Sequence, residues 1–191
     1  MSKNIYLILF LVVALFGGCD WLGSEKSELE IETQVEGEFR AVLNGKAWSG
    51  EPSAGVQTIE DGSRRLTFGG TWADGVFTHP GSPPYHEKIT FSYPFEPQKT
   101  EYEVLIKSGE NSRGSGGYYV KVAGDVVTAW YLPIPDSLNK LSFKIEKDAD
   151  GRDFVNGSFS MKVADERSPD TIRITNGEFR ALLTDWDTEN D

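Results

Sequence analysis

The chain has 191 residues with 30 acidic and 19 basic side chains, which gives a formal net charge of −11. This balance disfavours nucleic acid and anionic lipid headgroups as partners, because both are themselves negatively charged. Glycine and aromatic residues are abundant and helix-period segments are missing, so the composition indicates an all-β domain.

The N-terminal segment predicts an export signal followed by a lipid anchor. One lysine precedes an apolar run at 5–16, which is too short to span a bilayer as a helix. Such a run followed by small residues is typical of a secretory signal. The segment LFGGC at 15–19 resembles the lipobox of bacterial lipoproteins, with Phe16 where leucine is usual. The resemblance implies lipid attachment at Cys19, the single cysteine, for which no disulfide competes.

Three segments follow from this interpretation. We expect a signal peptide at 1–18, the lipidated cysteine with an acidic linker at 19–36, and a single antiparallel β domain at 37–191. Like charges extend a linker, so the acidic segment would hold the domain away from the membrane. Several acyl chains together anchor a protein stably in a membrane. The expected location of this protein is the bacterial outer membrane.

Alternation of apolar and polar residues predicts a series of strands along the domain. Asn44-Gly45 predicts a tight hairpin turn. The proline-rich stretch 79–87 and the glycine-rich stretch 108–117 are predicted loops. The predicted strands lie at 37–43 with a return through Trp48, then at 56–59, 64–72, 88–93, 101–107, 118–123, 125–131, 140–147, 154–163, 171–175 and 178–184.

These strands favour an antiparallel β-sandwich, with a closed calycin-like β-barrel as the alternative, because strand number alone does not separate the two. The sequence also repeats part of itself. GEFRAVL at 37–43 returns as GEFRALL at 177–183. Since equivalent sequences suit equivalent positions in a sheet, we expect the first and last strands to lie near each other.

Two segments resemble a known family. FRAVLNGKAWSG near the start is similar to the opening of small Bacteroidota lipoproteins of unknown function, and LSFKIEKDADGRDFVNGSF near the end is similar to their closing strands. Together with the following TNGEF segment, the similarity covers about one third of the chain. The resemblance implies a signal, a lipid anchor and one antiparallel β domain, and it implies no activity.

Aromatic side chains are the first candidate site. Trp72, Tyr119 and Trp130 are predicted to bind a ligand on one exposed face, where their rings could stack on sugar rings. Neighbouring aromatics at 118–119 and 130–131 must point to opposite faces of a strand, so one of each pair faces outward. Packing in the core is the competing interpretation.

An acidic turn is the second candidate. Glu146, Asp148, Asp150 and then Gly151 follow the start of a calcium-binding loop, although the twelfth position is Gly157 where a bidentate glutamate is required. The sequence therefore favours a plain hairpin turn, with Ca²⁺ as the weaker alternative and no other cofactor expected.

The two histidines are the third candidate. His79 and His86, with Glu87, could ligate zinc, although solvated loop histidines are the favoured interpretation. No serine elbow or phosphate loop is present. We therefore favour a non-enzymatic binding or accessory module for a glycan or an envelope protein. A hydrolase that uses surface carboxylates or a metal, and a purely structural envelope protein, remain as alternatives.

Overall fold

The computed structural model describes residues 36–73, 85–106, 116–165 and 167–187, without the side chain of Ala73. These residues form a ten-stranded sheet and contain no helix. In chain order the strands are β1 (Gly37–Leu43), β2 (Lys46–Thr58), β3 (Arg64–Ala73), β4 (Tyr85–Pro94), β5 (Glu101–Leu105), β6 (Gly116–Ala123), β7 (Val126–Pro133), β8 (Lys140–Lys147), β9 (Asp153–Asp165) and β10 (Thr171–Asp185).

The strand pairings close into a ring. They run from β10 through β2, β3, β4, β6, β7 and β9 and return to β10. Every pairing is antiparallel except a short contact in which Leu183–Asp185 of β10 runs parallel to Ala54–Val56 of β2. β1 lies beside both β2 and β10, while β8 and β5 extend the sheet from the first part of β9. The prediction of an all-β, mainly antiparallel fold is confirmed.

The core lies inside the ring, where opposite walls of the sheet pack against each other. Phe68 of β3 contacts Phe143 of β8 and Phe179 of β10, with ring centroids 5.0 and 4.8 Å apart. Phe91 of β4 lies 4.9 Å from Phe159 of β9. Backbone hydrogen bonds thus continue around the ring as in a barrel, while side chains from two walls interdigitate as in a sandwich.

The expected proximity of the first and last strands is confirmed. β1 pairs antiparallel with β10, and the two copies of the repeated sequence meet directly, with Phe39 opposite Phe179. Their rings are stacked 5.8 Å apart in the core. The repetition therefore reflects a shared demand, because both copies put a phenylalanine inward and charged residues outward on paired strands.

Local signals predicted one hairpin correctly. β1 and β2 pair through a two-residue turn at Asn44 and Gly45, whose φ angles are 47° and 82°. Positive φ at both central residues is the geometry of the tight hairpin turn that an Asn-Gly pair favours.

Three predicted boundaries were wrong. The short strand at 56–59 is the end of β2, which runs unbroken from Lys46 because β3 pairs with it throughout 51–58. The predicted loop at 79–87 ends earlier, since β4 begins at Tyr85, directly after Pro84. Asn176 and Gly177 do not divide two strands but form a bulge within β10, where the register against β9 shifts. In each case long-range pairing outweighed the local signal.

Candidate functional site

An aromatic pair occupies the outer face of the β6–β7 hairpin. Tyr118 and Trp130 lie with ring centroids 5.1 Å apart and planes at 31°. Trp130 is 46% exposed. Val120 is the cross-strand partner of Trp130 and lies on the same outer face of β6 as Tyr118. Val120 is nevertheless buried. The rings therefore lie over the sheet and form a platform with one side open to solvent.

The platform continues toward the hairpin turn through an exposed valine. Val127, which pairs with Val122, is 42% exposed. We call Tyr118, Val120, Val127 and Trp130 the outer patch. Two of its members, Val127 and Trp130, are exposed apolar side chains, and exposed apolar groups clustered on a sheet indicate a candidate binding face.

A second group of side chains lies inside the ring, at the end where β4 begins. Glu87 Oε2 accepts a hydrogen bond of 2.9 Å from Trp48 Nε1, and Glu87 Oε1 accepts one of 2.9 Å from the Tyr85 hydroxyl. The Tyr119 hydroxyl lies near this carboxylate, which raises the pKa of Tyr119. We call the set the Glu87 cluster, and its members are Trp48, Trp72, Tyr85, Glu87, Tyr119 and Lys121.

The strands bring these residues together through their register. Trp72 of β3 and Lys121 of β6 lie on either side of Glu87 as its direct cross-strand partners. Trp72 also packs edge-on against Tyr85, with ring centroids 6.1 Å apart. Adjacent strands thus place an aromatic ring, a carboxylate and an ammonium group in one row on the inner face.

The phenols of the cluster remain protonated donors. Burial raises the pKa of Tyr119, and the hydrogen bond and charge of Glu87 raise it further. The pKa of Tyr85 is raised for the same reasons, with burial again the largest cause. Tyr85 therefore donates to the Glu87 carboxylate, and the Tyr119 hydroxyl stays protonated beside it, throughout the physiological pH range.

Lys121 faces the same interior without a charged partner. Its Nζ lies 5.9 Å from the ring centroids of both Tyr119 and Tyr131. Within the described part of the chain, the ammonium group makes no ion pair and no hydrogen bond. Its contacts with those two rings are cation–π contacts, which use none of its three N–H donors in a conventional hydrogen bond.

The three aromatic residues predicted to share one exposed face do not share it. Trp130 lies on the outer patch, whereas Trp72 and Tyr119 lie inside the ring in the Glu87 cluster. Tyr119 is 1% exposed, so its predicted exposure is wrong. The expected opposition of neighbouring aromatics is confirmed, but it is Tyr118 that accompanies Trp130, because strand parity places residues 118 and 119 on opposite faces.

The acidic turn is held by protein groups. Asp148 Oδ1 accepts backbone N–H groups of Asp150 and Arg152, each at 2.9 Å, and Asp148 Oδ2 accepts Arg152 Nε at 2.9 Å. Burial opposes ionisation of Asp148, but these hydrogen bonds outweigh it and hold its pKa below the usual value. Glu146 pairs with Lys144 and also accepts from Asn156 Nδ2 at 2.6 Å.

This geometry is that of a hairpin turn joining β8 to β9. Among the described residues, no group of three or more His, Cys, Asp or Glu side chains could hold a metal ion. The histidine prediction falls partly outside the described residues, which do not include His79. His86 alternates with Glu87 along β4 and so faces the opposite side of the sheet. Cys19 also lies outside the described residues.

A groove of about 870 Å³ with a mixed polar and apolar lining runs over β5, β8, β9 and β10. Its exposed lining combines small hydroxyl and charged side chains, including Ser142, Ser158 and Glu178, with the exposed Leu105. The aromatic residue in its lining, Phe159, is buried, so the groove offers no exposed ring for stacking.

The sequence interpretation missed Lys121, and it named Glu87 only as a possible zinc ligand beside the two histidines. Glu87 was assigned to a loop because of the prolines at 83 and 84. The signal was nevertheless present, since the inward-facing series Ile89, Phe91 and Tyr93 extends backward at period two to Glu87 and Tyr85. Continuing that alternation would have placed the carboxylate on the inner face.

In comparisons with known proteins, no family model, no curated protein and no solved structure matches the chain. No helix among the described residues is long and apolar enough to cross a membrane.

Proposed function

We propose that this chain is a lipid-anchored protein of the bacterial outer membrane whose β domain is a non-enzymatic glycan-binding module. The N-terminal signal and lipobox-like segment support the anchor. The outer patch supports the binding function. Its single most telling feature is Trp130, a large aromatic ring that is 46% exposed beside a second ring.

Stacking chemistry favours a glycan as the ligand of the outer patch. The aliphatic face of a sugar ring can pack on the aromatic faces of Tyr118 and Trp130, while the Tyr118 hydroxyl can exchange hydrogen bonds with sugar hydroxyls. A platform of two rings that is open to solvent suits an extended chain, because successive sugar residues can pass over it without entering a pocket.

Lipid attachment at Cys19 predicts that Cys19→Ser releases the protein from membranes. Serine lacks the thiol that the lipid would modify, so we expect the variant to move from the membrane fraction to the soluble fraction. Fractionation with radiolabelled fatty acid measures both effects. A variant that stays in the membrane fraction and still carries label would contradict the anchor.

The outer patch predicts that Trp130→Ala weakens glycan binding about tenfold, because a lost aromatic contact of about 1.4 kcal/mol corresponds to that factor. The measurement is retardation of the full chain, in detergent, on native gels cast with soluble starch, xylan or laminarin. Val126→Ala is the matched control, since Val126 is 65% exposed on the same strand but lies outside the outer patch.

Each result of this experiment is decisive for the glycan proposal. Retardation that is lost in Trp130→Ala and kept in Val126→Ala supports it. Retardation by none of the polysaccharides, or retardation that survives Trp130→Ala, contradicts it and favours a protein partner for the exposed valine and aromatic surface. Release of reducing sugar during the same incubation would instead favour a hydrolase.

A further inference from the structure

We infer that the Glu87 cluster is a second binding site, separate from the outer patch, and that it takes a single uncharged sugar ring. The site uses neither the exposed face of β7 nor the lipid anchor, so it goes beyond the function proposed above. Three properties of the cluster carry the inference: a carboxylate held in place by aromatic donors, an ammonium group with free donors, and a half-buried tryptophan beside them.

The carboxylate is oriented but not saturated. An ionised carboxylate offers about four acceptor positions. Trp48 and Tyr85 each donate a hydrogen bond to one of its two oxygens, and these two donors hold Glu87 in one orientation. Acceptor positions remain for a hydroxyl donor, and Glu87 is half-buried rather than fully buried, so a ligand can reach them.

Lys121 supplies the complementary group. It is the direct cross-strand partner of Glu87, is half-buried on the same inner face, and has no acceptor among the described residues. A half-buried ammonium group with three unused donors is costly to leave unpaired. A ligand that brings an acceptor oxygen to Lys121 while donating a hydroxyl to Glu87 would satisfy both residues at once.

The charges around the cluster disfavour charged ligands, and anions most of all. The charges of Glu87 and Lys121 cancel. Lys121 repels a cationic ligand, and Glu87 repels an anionic one. Asp165, the cross-strand partner of Tyr131, and the nearby Asp170 add negative charge, since both raise the pKa of the Tyr131 hydroxyl beyond the effect of its burial. These carboxylates further disfavour an anionic ligand. A neutral ligand that carries both donors and acceptors is repelled by neither Glu87 nor Lys121.

Aromatic side chains define the shape of that ligand. Trp72 and Tyr85 are both half-buried and pack edge-on, so they present apolar surface next to the charged pair. A pyranose matches this arrangement, because its C–H faces pack on aromatic rings while its hydroxyls both donate and accept. These aromatic residues lie on the inner face of the ring rather than on its outer face, which suits one sugar unit rather than the middle of a polysaccharide.

The test is a titration of the full chain, in detergent, with methyl glycosides of glucose, galactose, mannose and N-acetylglucosamine. Glucosamine and glucuronic acid serve as the cationic and anionic probes. Saturation-transfer NMR of the sugar protons detects binding, and intrinsic tryptophan fluorescence gives the Kd. We expect at least one neutral glycoside to bind saturably and more tightly than either charged sugar.

Two variants locate the site. Glu87→Gln and Lys121→Met should each weaken binding of that glycoside at least tenfold, and Lys121→Met keeps the apolar stem that packs on Tyr119 and Tyr131. Lys88→Met is the matched control, since Lys88 is adjacent to Glu87 but on the opposite face of β4. Thermal midpoints of all variants verify that they are folded.

Any one of three results overturns the inference. They are no saturable binding of any neutral glycoside, glycoside binding that is unchanged in Lys121→Met, and tighter binding of a charged sugar than of the neutral glycosides. Trp130→Ala separates this proposal from the previous one. Unchanged glycoside binding in Trp130→Ala is expected here, whether or not that variant loses retention by polysaccharides.

Discussion

Replacing Phe68 with alanine is expected to lower the free energy of unfolding by about 3–5 kcal/mol, the cost usual for deleting a buried phenylalanine. Phe68 is 1% exposed and lies where both walls of the ring meet. Its ring contacts Phe91 on the neighbouring strand and Phe143 and Phe179 across the core. Because these contacts come from several strands, no single side chain can move to fill the cavity.

Urea denaturation followed by tryptophan fluorescence measures the effect of Phe68→Ala. Leu105→Ala is the control, because Leu105 is 68% exposed and its truncation should change stability by at most about 0.5 kcal/mol. If Phe68→Ala lowers the free energy of unfolding by less than about 1 kcal/mol, Phe68 does not join the two walls of the core.

Gly157→Ala is expected to destabilise the fold by about 2–3 kcal/mol, because a side chain there overlaps the backbone of the adjacent strand. A Cβ atom on Gly157 would lie 2.1 Å from the Ser142 carbonyl oxygen and 2.7 Å from the Phe143 Cα. Both atoms belong to β8, which pairs with β9 at this point. Relief of the overlap requires β8 to move away, which would also displace the Phe143 ring from the core.

Gly116→Ala provides the matched comparison for this substitution. A Cβ atom at Gly116 meets nothing within 4 Å, so the change adds no overlap. Its expected effect is within about 1 kcal/mol and in the stabilising direction, because alanine lowers the entropy of the unfolded chain. The two midpoints should therefore move in opposite directions in thermal denaturation, and equal shifts would show that β8 yields without cost.

Much of the fold was predictable because a half-buried strand has apolar and polar residues in alternation, which can be recognised in the sequence. The series Ile89, Phe91 and Tyr93 identified an inward face that the structure confirms, with all three residues buried. The repeated GEFRA segments correctly indicated that the first and last strands are neighbours. These successes share a cause: a half-buried strand must alternate, and equivalent positions in one sheet select similar residues.

The dipeptide Asn-Gly adopts different structures at two places in the chain, which the local sequence did not predict. Asn44-Gly45 makes a hairpin turn, with both residues at positive φ, whereas at Asn176-Gly177 only the asparagine has a positive φ, and the chain continues through a bulge. The local sequence supplied residues that tolerate positive φ in both places. Whether the chain reverses there depends on the strands that lie alongside, and residues 171–185 have β9 as a partner on both sides of the bulge.

The candidate sites divide in the same way. The sequence by itself determined that residues 118 and 119, and residues 130 and 131, point to opposite faces, since a strand alternates whatever its surroundings. It also placed the acidic residues 148 and 150 in a turn, which the structure confirms. The sequence did not determine which face of β6 and β7 is the interior, because both faces carry aromatic rings.

Closure of the ring determines which face of β6 and β7 is the interior. The parallel contact of β10 with β2 and the contact of β7 with the end of β9 turn one face of every strand inward. That choice buried Tyr119, left Trp130 in solvent, and set Glu87 between Trp72 and Lys121. The first contact joins residues 129 positions apart and the second joins residues 30 to 34 positions apart. Their register depends on how the whole core packs, which no local pattern encodes.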